Sequence, residues 1–220
     1  MKKNYALITG ATAGIGLEIA KELARLGHNI ILTARREDRL RDISAQLMQE
    51  FNIDCNYVSA DLAEFAAPEK IFNFCSEKNY LVDILVNNAG YSINKKFHET
   101  GEEEEEKFLR VLGISIIALT KKFIPEMLER KNGKIMMVSS LASFAPPASG
   151  WGALYGPVKT FVNRFGEAIN INYRSQGITS TNVCPGFTVT EFHSASGMQD
   201  AMDKVPAFMK QDSTTVAIGA

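Results

Sequence analysis

The feature that most constrains the fold of this chain is the alternation of short, apolar, β-branched runs with longer segments of helical period. The short runs have the length and composition of buried strands. They lie at Tyr5–Thr9, Asn29–Thr33, Cys55–Ser59, Asp83–Asn87, Lys134–Ser139 and Thr179–Cys184. Helices are expected between them, for example at GLEIAKELARLG, EDRLRDISAQLMQEF and PEKIFNFCSEK, with Gly27 and Gly133 at helix ends. This alternation predicts an α/β fold with a doubly wound parallel sheet and helices on both faces.

Length and charge limit the classes of function. The chain has 220 residues, enough for one α/β domain spanning 1–220 with a sizeable core. Its formal net charge is −1, so no nucleic-acid partner is favoured. The start, MKKNYALITG, lacks the apolar core of a signal peptide, and no stretch reaches membrane-spanning length. We therefore expect a cytoplasmic protein that binds neither nucleic acid nor membrane.

The cysteines and histidines do not form a recognisable site. Three cysteines, an odd number, are widely spaced and set among apolar residues, so we expect free thiols in a reducing compartment. The three histidines are scattered without the spacing of metal ligands. No metal site is predicted. The acidic run GEEEEEKF is interpreted as the solvated first turns of a helix, where carboxylates favour the helix dipole.

A glycine-rich loop follows the first strand directly and opens the first helix. Ligands of a doubly wound sheet bind at the carboxyl ends of the strands, which is where this loop, TGATAGIG, must lie. Gly10, Gly14 and Gly16 let the backbone turn tightly and approach a pyrophosphate, which the helix N-terminus would hold. The spacing is G-x-x-x-G-x-G and not G-x-G-x-x-G, and a turn that merely joins a strand to a helix remains the alternative.

The stretch LYGPVK places a phenol and an ammonium four residues apart. Tyr155 and Lys159 share a face if a helix begins here, because Pro157 is tolerated in a first helical turn. A nearby cation favours the phenolate, so Lys159 is expected to lower the pKa of Tyr155 and make it usable as an acid or base. Such a pair is uninformative by itself, since many exposed helix faces carry one.

Five motifs in order give the chain a wider resemblance. They are TGATAGIG from Thr9, NNAG at Asn87–Gly90, Ser139–Ser140, YGPVK from Tyr155, and NVCPGFTVT from Asn182. Together they resemble the short-chain dehydrogenase/reductase family, in its non-extended branch, over essentially the whole chain. The resemblance implies a Rossmann-like domain, a nicotinamide cofactor and a small-molecule carbonyl or alcohol substrate. It also implies a homo-oligomer, either a homodimer or a homotetramer.

The resemblance implies a role for each residue of a catalytic group. Tyr155 matches the acid/base that protonates a carbonyl oxygen as hydride arrives, and Lys159 matches the residue that lowers its pKa and holds the nicotinamide ribose. Ser140 matches the residue that hydrogen-bonds the substrate oxygen. Ser139 and Ser143 are alternatives to Ser140 at this strand end, and a serine can also end a strand by bonding its own backbone.

The resemblance further implies a set of cofactor-binding residues. Asp61 would contact the adenine. The NNAG segment would line the path of the ribose, with Asn87 holding the central strands. Thr188 or Thr190 would contact the carboxamide of the nicotinamide or the pyrophosphate. The full set is Gly10, Thr12, Gly14, Ile15, Gly16, Arg35, Arg36, Asp61, Leu62, Asn88, Ala89, Gly90, Tyr155, Lys159, Pro185, Gly186, Thr188 and Thr190.

The residues after the second strand favour NADP over NAD. An acidic residue at this place reads a 2′-hydroxyl, whereas guanidinium groups suit a 2′-phosphate. The sequence here is ILTARREDRL, in which the expected acidic position holds Ala34 or Arg35 and Arg36 comes next. Against NADP, Ala13 stands where some NADP-dependent relatives carry a basic residue, and Glu37 or Asp38 could serve as the acid.

One departure from the family pattern leaves a second function open. Family members often carry an asparagine about 28 residues before the serine, where it supports a proton-relaying water, and this chain has Leu112 there. Gly113 or Ser115 could leave room for a water. The main hypothesis is an NADP-dependent oxidoreductase of carbonyls or alcohols, with 3-oxoacyl thioester reduction as a subtype. The alternative is a catalytically weak, NADP-binding, redox-responsive interaction protein, supported by Leu112 alone.

Two segments bear on the substrate and on the end of the chain. The segment from Glu191 to about Lys210 is rich in Met, Phe and Ala. In relatives this segment is the mobile lid over the substrate. Together with Phe144, Pro146, Pro147 and Trp151, it suggests a bulky or hydrophobic carbonyl compound as the substrate. The chain stops at STTVAIGA, which looks like the beginning of a helix. We expect the natural C-terminus beyond residue 220 and a missing last strand of the sheet.

Overall fold

The protein is described by a computed structural model over residues 3–146, 152–192, 196 and 202–220. Six parallel strands form one sheet in the order β3-β2-β1-β4-β5-β6. The strands are β1 (Asn4–Thr9), β2 (Asn29–Ala34), β3 (Cys55–Ser59), β4 (Leu81–Asn87), β5 (Gly133–Val138) and β6 (Ile178–Val183). The predicted doubly wound sheet is confirmed, and the strand order reverses between β1 and β4.

Helices cover both faces of this sheet. They are α1 (Gly14–Arg25), α2 (Glu37–Phe51), α3 (Ala67–Glu77), α4 (Glu102–Leu109), α5 (Ser115–Arg130), α6 (Tyr155–Tyr173) and α7 (Ser213–Ile218). Alternate residues of each strand face opposite layers: Leu7 packs in one apolar cluster with α3, α5 and α6, whereas Ala6 and Ile8 pack in the other with α1, α2 and α7. Burial on both faces explains why the strands are continuous apolar runs.

Strand and helix positions agree with the sequence-based predictions to within one or two residues, apart from one helix end. Gly27 lies just past α1 with a φ of +85°, as predicted for a helix C-terminus. Gly133 does not end a helix, because Lys131 adopts the left-handed conformation after α5 and Gly133 begins β5. A side chain at Gly133 would collide with Met127, so close packing is what requires glycine there.

The acidic run begins a long helical segment with an irregular turn. Glu102–Glu105 occupy the first turn of α4, as predicted for a solvated helix start. Between α4 and α5 the chain forms a π-helical turn, Arg110–Ile114, which contains Leu112. Single π turns widen a helix locally and occur frequently at functional sites. Leu112 itself is buried and lies next to Gly90.

A small second sheet follows β6 and was not predicted. Strands β7 (Phe187–Val189) and β8 (Lys210–Asp212) are parallel and three residues long, too short for a periodic signal in the sequence. The Asp212 side chain caps α7 by accepting a hydrogen bond from the Thr215 N–H. The hydroxyl of Thr214 on α7 donates to Glu18 on α1. The chain after β6 therefore crosses the carboxyl ends of the strands and returns to the α1 face.

Candidate active site

A large cavity lies at the carboxyl ends of the strands, where a doubly wound sheet binds ligands. Its volume is about 1370 Å³. Every residue predicted for catalysis or cofactor binding lines it, with the exception of Gly16. The cavity runs from the loops after β2 and β3, past the glycine-rich loop, to the loops after β5 and β6. The sheet thus brings together residues that are far apart in the sequence.

The glycine-rich loop is held by the NNAG segment after β4. The Asn88 side-chain amide donates to the carbonyl oxygens of Thr9 at 2.8 Å and Gly10 at 3.3 Å. The Thr9 hydroxyl in turn accepts from the backbone N–H groups of Asn88 and Ala89 at 2.8 and 3.0 Å. Gly10 and Gly14 have φ of +66° and +54°, which glycine adopts without strain. Asn88 therefore fixes the loop in addition to lining the cavity.

Gly16 lies behind the loop and not on the cavity wall. A Cβ placed there would come within 2.3 Å of the Asn88 amide nitrogen and 2.6 Å of the Gly10 carbonyl oxygen. Such contacts cannot be relieved without moving the loop, so close packing is the reason for glycine at this position. Asn87, predicted to hold the central strands, is buried and donates to the Met137 sulfur at 3.5 Å.

A glycine replacement tests this packing. We expect Gly16→Ala to lower the free energy of unfolding by about 1–3 kcal/mol through overpacking, and to displace the loop. Gly101→Ala is the matched control, because Gly101 has a negative φ and a Cβ there meets nothing within 4 Å. Chemical denaturation of both variants measures the effect. Equal stability of the two variants would contradict the packing described.

Ser140 and Tyr155 meet at one end of the cavity. Tyr155 is the first residue of α6 and is buried, with its hydroxyl hydrogen-bonded to the Ser140 side chain. Burial raises the pKa of Tyr155, and the hydrogen bond to Ser140 partly opposes that rise. The pKa of Tyr155 is therefore raised overall, because burial of the phenol outweighs this hydrogen bond, and the lowering of that pKa by Lys159 stays a prediction.

Lys159 lies one turn further along α6, on the same face as Tyr155, as the spacing predicted. Its ammonium donates to the Val138 carbonyl oxygen at 2.8 Å and lies 5.8 Å from the centre of the Tyr155 ring. The side chain is 5% exposed. Burial lowers the pKa of Lys159 to about 8, with the Cys184 thiol partly opposing the shift. The ammonium therefore stays largely charged at neutral pH, on the cavity wall beside the phenol.

The two alternative serines have other partners. The Ser139 hydroxyl donates to the Lys159 carbonyl oxygen at 2.9 Å, which ties β5 to α6. The Ser143 hydroxyl donates to the Ser140 carbonyl oxygen at 2.6 Å and accepts from Asn163. The Ser140 hydroxyl accepts from the Ala142 N–H at 3.1 Å and contacts Tyr155. Of the three, Ser140 has the geometry for a substrate oxygen held beside the phenol.

The loops after β2 and β3 form the other end of the cavity. Arg35 and Arg36 both line it, opposite Asp61 and Leu62. The Arg36 guanidinium donates from Nη2 to the Thr12 hydroxyl of the glycine-rich loop at 3.0 Å. This bond places a cation directly at the loop predicted to hold a pyrophosphate. Glu37 and Asp38, the possible acids, are instead in the first turn of α2 and exposed.

Two charged residues at this end were missed from the sequence. Glu191, after β7, accepts hydrogen bonds from Arg36 at 3.2 Å and from Arg39 at 2.9 and 3.2 Å. These arginines hold the pKa of Glu191 below its ordinary value. Arg39 stands three residues after Arg36 at the start of α2, a spacing that could have indicated a shared face. Nothing in the sequence pairs them with a carboxylate more than 150 residues away.

The segment after β6 forms the remaining wall. Pro185, Gly186, Thr188 and Thr190 all line the cavity, and the Thr190 side chain reaches 3.0 Å from a Cβ placed on Gly14. The next residues place Phe192 near Tyr155, with ring centres 5.9 Å apart. Contacts therefore run along this segment from the glycine-rich loop to the phenol.

The predicted substrate residues are only partly at the cavity. Pro146 and Met209 line it together with Leu141, Ala142 and Ala145. Phe144 does not line it and is 71% exposed. Pro147 and Trp151 lie outside the described residues, as does much of the predicted lid between Glu191 and Lys210. The described wall near Ser140 is mainly apolar.

The surroundings of Leu112 are apolar and helical. A Cβ placed on Gly113 would lie 3.5 Å from Val158 and 3.7 Å from Phe161, which is ordinary van der Waals contact. The buried Ser115 hydroxyl donates to the Val111 carbonyl oxygen within the helix. The idea that Gly113 or Ser115 leaves room for a water stays a prediction.

Three properties of the described residues concern metals, membranes and thiol chemistry. In the described ranges no group of three or more His, Cys, Asp or Glu side chains could hold a metal ion. Within the same ranges no helix has the length and hydropathy to cross a membrane. All three cysteines are free, and burial raises the pKa of the Cys55 and Cys75 thiols to about 11 and about 12. Those two thiols are therefore unreactive near neutral pH.

The fold and its glycine-rich loop are typical of one class of oxidoreductases. So is the group at the strand ends formed by Ser140, Tyr155 and Lys159. The sequence profile of short chain dehydrogenases matches residues 4–201, and the chain belongs to that family. It is 30% identical over 221 residues to a very-long-chain 3-oxoacyl-CoA reductase of Rattus norvegicus, covering 97% of this chain and 69% of the reductase. It is 32% identical over 200 residues to a probable NADP-dependent dehydrogenase of Haemophilus influenzae, covering 88% and 77%.

Solved structures share the whole architecture. A short-chain dehydrogenase from Sphingobium yanoikuyae in complex with NADPH superimposes with a TM-score of 0.89 at 27% identity, covering 99% of this chain and 82% of that one. The chain spans between 60% and 69% of the length of the mammalian 3-oxoacyl-CoA reductases it matches. These relatives are oxidoreductases, which gives no support to the alternative of a redox-responsive binding protein.

Proposed function

We propose that the chain catalyses the NADPH-dependent reduction of an apolar carbonyl compound to the alcohol, with Tyr155 as the proton donor. The observation that carries this proposal is the meeting of Ser140, Tyr155 and Lys159 at one end of a cavity whose other end presents Arg35 and Arg36. A dinucleotide that lies along the cavity would place its two ends at these two groups.

The residues present fit a nicotinamide dinucleotide phosphate. Gly10 and Gly14 leave the loop free of side chains where a pyrophosphate would approach the N-terminus of α1. Arg36 is fixed beside this loop by its bond to Thr12, and guanidinium groups suit a 2′-phosphate. The Sphingobium relative binds NADPH in the same fold. When bound, the reduced nicotinamide would supply the hydride for the carbonyl carbon and would itself be oxidised.

The protein's own part is to place a proton at the carbonyl oxygen. A tyrosine whose pKa is raised by burial remains protonated at neutral pH, which suits a donor in the direction of reduction. The Ser140 hydroxyl, already bonded to the phenol, would hold the same oxygen and stabilise its developing negative charge. The Lys159 cation, beside the phenol, would stabilise the tyrosinate left after proton transfer.

The cavity wall supports an apolar substrate. Leu141, Ala142, Ala145 and Pro146 follow Ser140 directly and line the cavity, with Phe192 and Met209 from the segment after β7. Burial of methyl and methylene groups against such a wall stabilises binding by roughly 25 cal/mol per Å² of apolar area. A 3-oxoacyl thioester combines a reducible carbonyl with an acyl chain that suits this wall, and the rat relative is named for such a substrate.

An arginine replacement tests the choice of cofactor. We expect Arg36→Gln to weaken NADPH binding by roughly 10- to 100-fold, the value of a hydrogen-bonded charge pair, and to leave NADH binding nearly unchanged. The matched control is Arg41→Gln, since Arg41 is an exposed arginine of α2, the helix that Arg36 directly precedes. Fluorescence titration of both cofactors measures the effect. An equal loss for NADPH and NADH in Arg36→Gln would contradict the assignment.

The activity itself is tested by the loss of reduced-nicotinamide absorbance with a panel of carbonyl compounds. The panel contains 3-oxoacyl thioesters of increasing acyl length, aryl ketones, aldehydes and ketoses, each with NADPH and NADH. We expect consumption of NADPH that rises with the apolar area of the substrate. A protein that binds NADPH and reduces no member of the panel would contradict the proposal.

A further inference from the structure

The carboxylate of Glu191 is paired with Arg36, the residue that the proposed function assigns to the 2′-phosphate. It accepts from the Arg36 guanidinium at 3.2 Å and from Arg39 at 2.9 and 3.2 Å. Arg36 simultaneously donates to Thr12 in the glycine-rich loop and lines the cavity. The ion pair is therefore at the mouth of the candidate cofactor site and not on a remote surface.

A carboxylate and a phosphate would compete for this cluster. Both anions bind the same guanidinium donors. A carboxylate held beside the phosphate dianion would also repel it, because the two charges have the same sign. The side chains of Arg36, Arg39 and Glu191 are each about half exposed, at 46%, 44% and 50%. Exchange of one anion for the other thus requires only side-chain movement, and an ion pair this exposed is weak enough to break.

We propose that Glu191 is a specificity-determining residue that occupies the guanidinium groups of Arg36 and Arg39 and is displaced by the 2′-phosphate of NADPH. The inference rests on the proposed function, because it requires that the phosphate reach Arg36. Its consequence is a lowered affinity for NADPH with no effect on NADH, since a 2′-hydroxyl has no need of these donors.

Glu191 stands between two residues that face other parts of the cavity. Its neighbour Phe192 has its ring 5.9 Å from the Tyr155 ring, and the Thr190 side chain lies 3.0 Å from a Cβ placed on Gly14 of the glycine-rich loop. The ion pair with Arg36 and Arg39 therefore involves a segment that lines the cavity from the glycine-rich loop to the phenol.

The test is Glu191→Gln, which keeps the size of the side chain and removes its charge. Titration with NADPH, NADH and adenosine 2′,5′-bisphosphate measures direct binding without turnover. We expect NADPH and the bisphosphate to bind about 3- to 5-fold more tightly to the variant, the upper part of the range for an exposed ion pair, with NADH within about twofold of the wild type. The matched control is Glu37→Gln, which removes an exposed carboxylate next to Arg36 and should leave all three affinities within about twofold.

The outcomes separate this inference from the proposed function. Unchanged or weakened NADPH binding in Glu191→Gln, with wild-type protein that binds NADPH, overturns the inference and leaves the proposed function standing. An equal gain in Glu37→Gln would show a general charge effect and would also overturn it. A wild-type protein that binds neither NADPH nor the bisphosphate refutes the proposed function, and the inference falls with it.

Discussion

Replacement of Tyr155 by phenylalanine is expected to reduce turnover by about 10²–10⁴-fold while NADPH binding stays within a few-fold of the wild type. The phenol is buried beside Ser140 and supplies the proton in the proposed reduction. Phenylalanine keeps the ring and its contact with Phe192, so the cavity retains its shape. Only the proton donor is removed, and the loss should fall on kcat more than on KM.

The control for this variant is Tyr173→Phe. Tyr173 ends α6, eighteen residues from Tyr155, and it does not line the cavity. The same chemical change there should leave kcat within twofold of the wild type, in keeping with a substitution away from the site. Steady-state kinetics and cofactor titration of both variants make the comparison. Full turnover in Tyr155→Phe would remove Tyr155 from the mechanism.

Replacement of Lys159 by methionine is expected to lower turnover and to change how the folding stability depends on pH. Turnover should fall by at least about 100-fold, because the cation that stabilises a tyrosinate is lost. Folding stability should respond in a way that depends on pH, because Lys159 is a buried base whose pKa is lowered to about 8. The unfolded chain, with the ordinary value of 10.5, binds the proton more strongly than the folded protein does.

This difference in pKa fixes the direction of the pH effect. Between pH about 8 and 10.5 the unfolded chain holds more protons at this residue, so the wild-type free energy of unfolding rises with pH relative to Lys159→Met. We expect the free energy of unfolding of the wild type, relative to that of Lys159→Met, to increase by about 1–3 kcal/mol between pH 7 and pH 10. The hydrogen bond from Lys159 to Val138 contributes at both values and largely cancels in the comparison.

Urea denaturation at the two pH values measures this gain. Lys134→Met is the control for the same chemical change, because Lys134 is an exposed lysine of β5. If the difference in free energy of unfolding between wild type and Lys159→Met does not change with pH, then burial does not lower the pKa of Lys159. Preserved turnover in Lys159→Met would exclude its part in the chemistry.

The sheet was predictable because each strand carries its own signal. A parallel strand buried on both faces is a continuous apolar run, and β3 was predicted with its observed bounds, Cys55–Ser59. The two strands of the small sheet, Phe187–Val189 and Lys210–Asp212, carry no such run. Their pairing depends on where the chain crosses the strand ends, which is a tertiary property that local sequence does not encode.

The candidate site was predictable where a residue type and a strand end coincide. Tyr155 and Lys159 share a face because helical spacing requires it, and the glycine loop follows from its place after β1. The rise in the Tyr155 pKa was not predictable, since it depends on burial by the surrounding chain. The pairing of Glu191 with Arg36 and Arg39 was equally hidden, because ion pairs between distant segments leave no local pattern.

The measurement that tests the central claim most directly uses NADPH that carries deuterium at the transferred position of the nicotinamide. The protein would be incubated with this cofactor and the carbonyl compound that consumes NADPH fastest, and the alcohol product analysed by mass spectrometry. Direct hydride transfer predicts one deuterium on the former carbonyl carbon, and in the same time Tyr155→Phe should form about 10²- to 10⁴-fold less of this deuterated alcohol. An alcohol without deuterium, or NADPH consumed without an alcohol product, would contradict the function proposed for this chain.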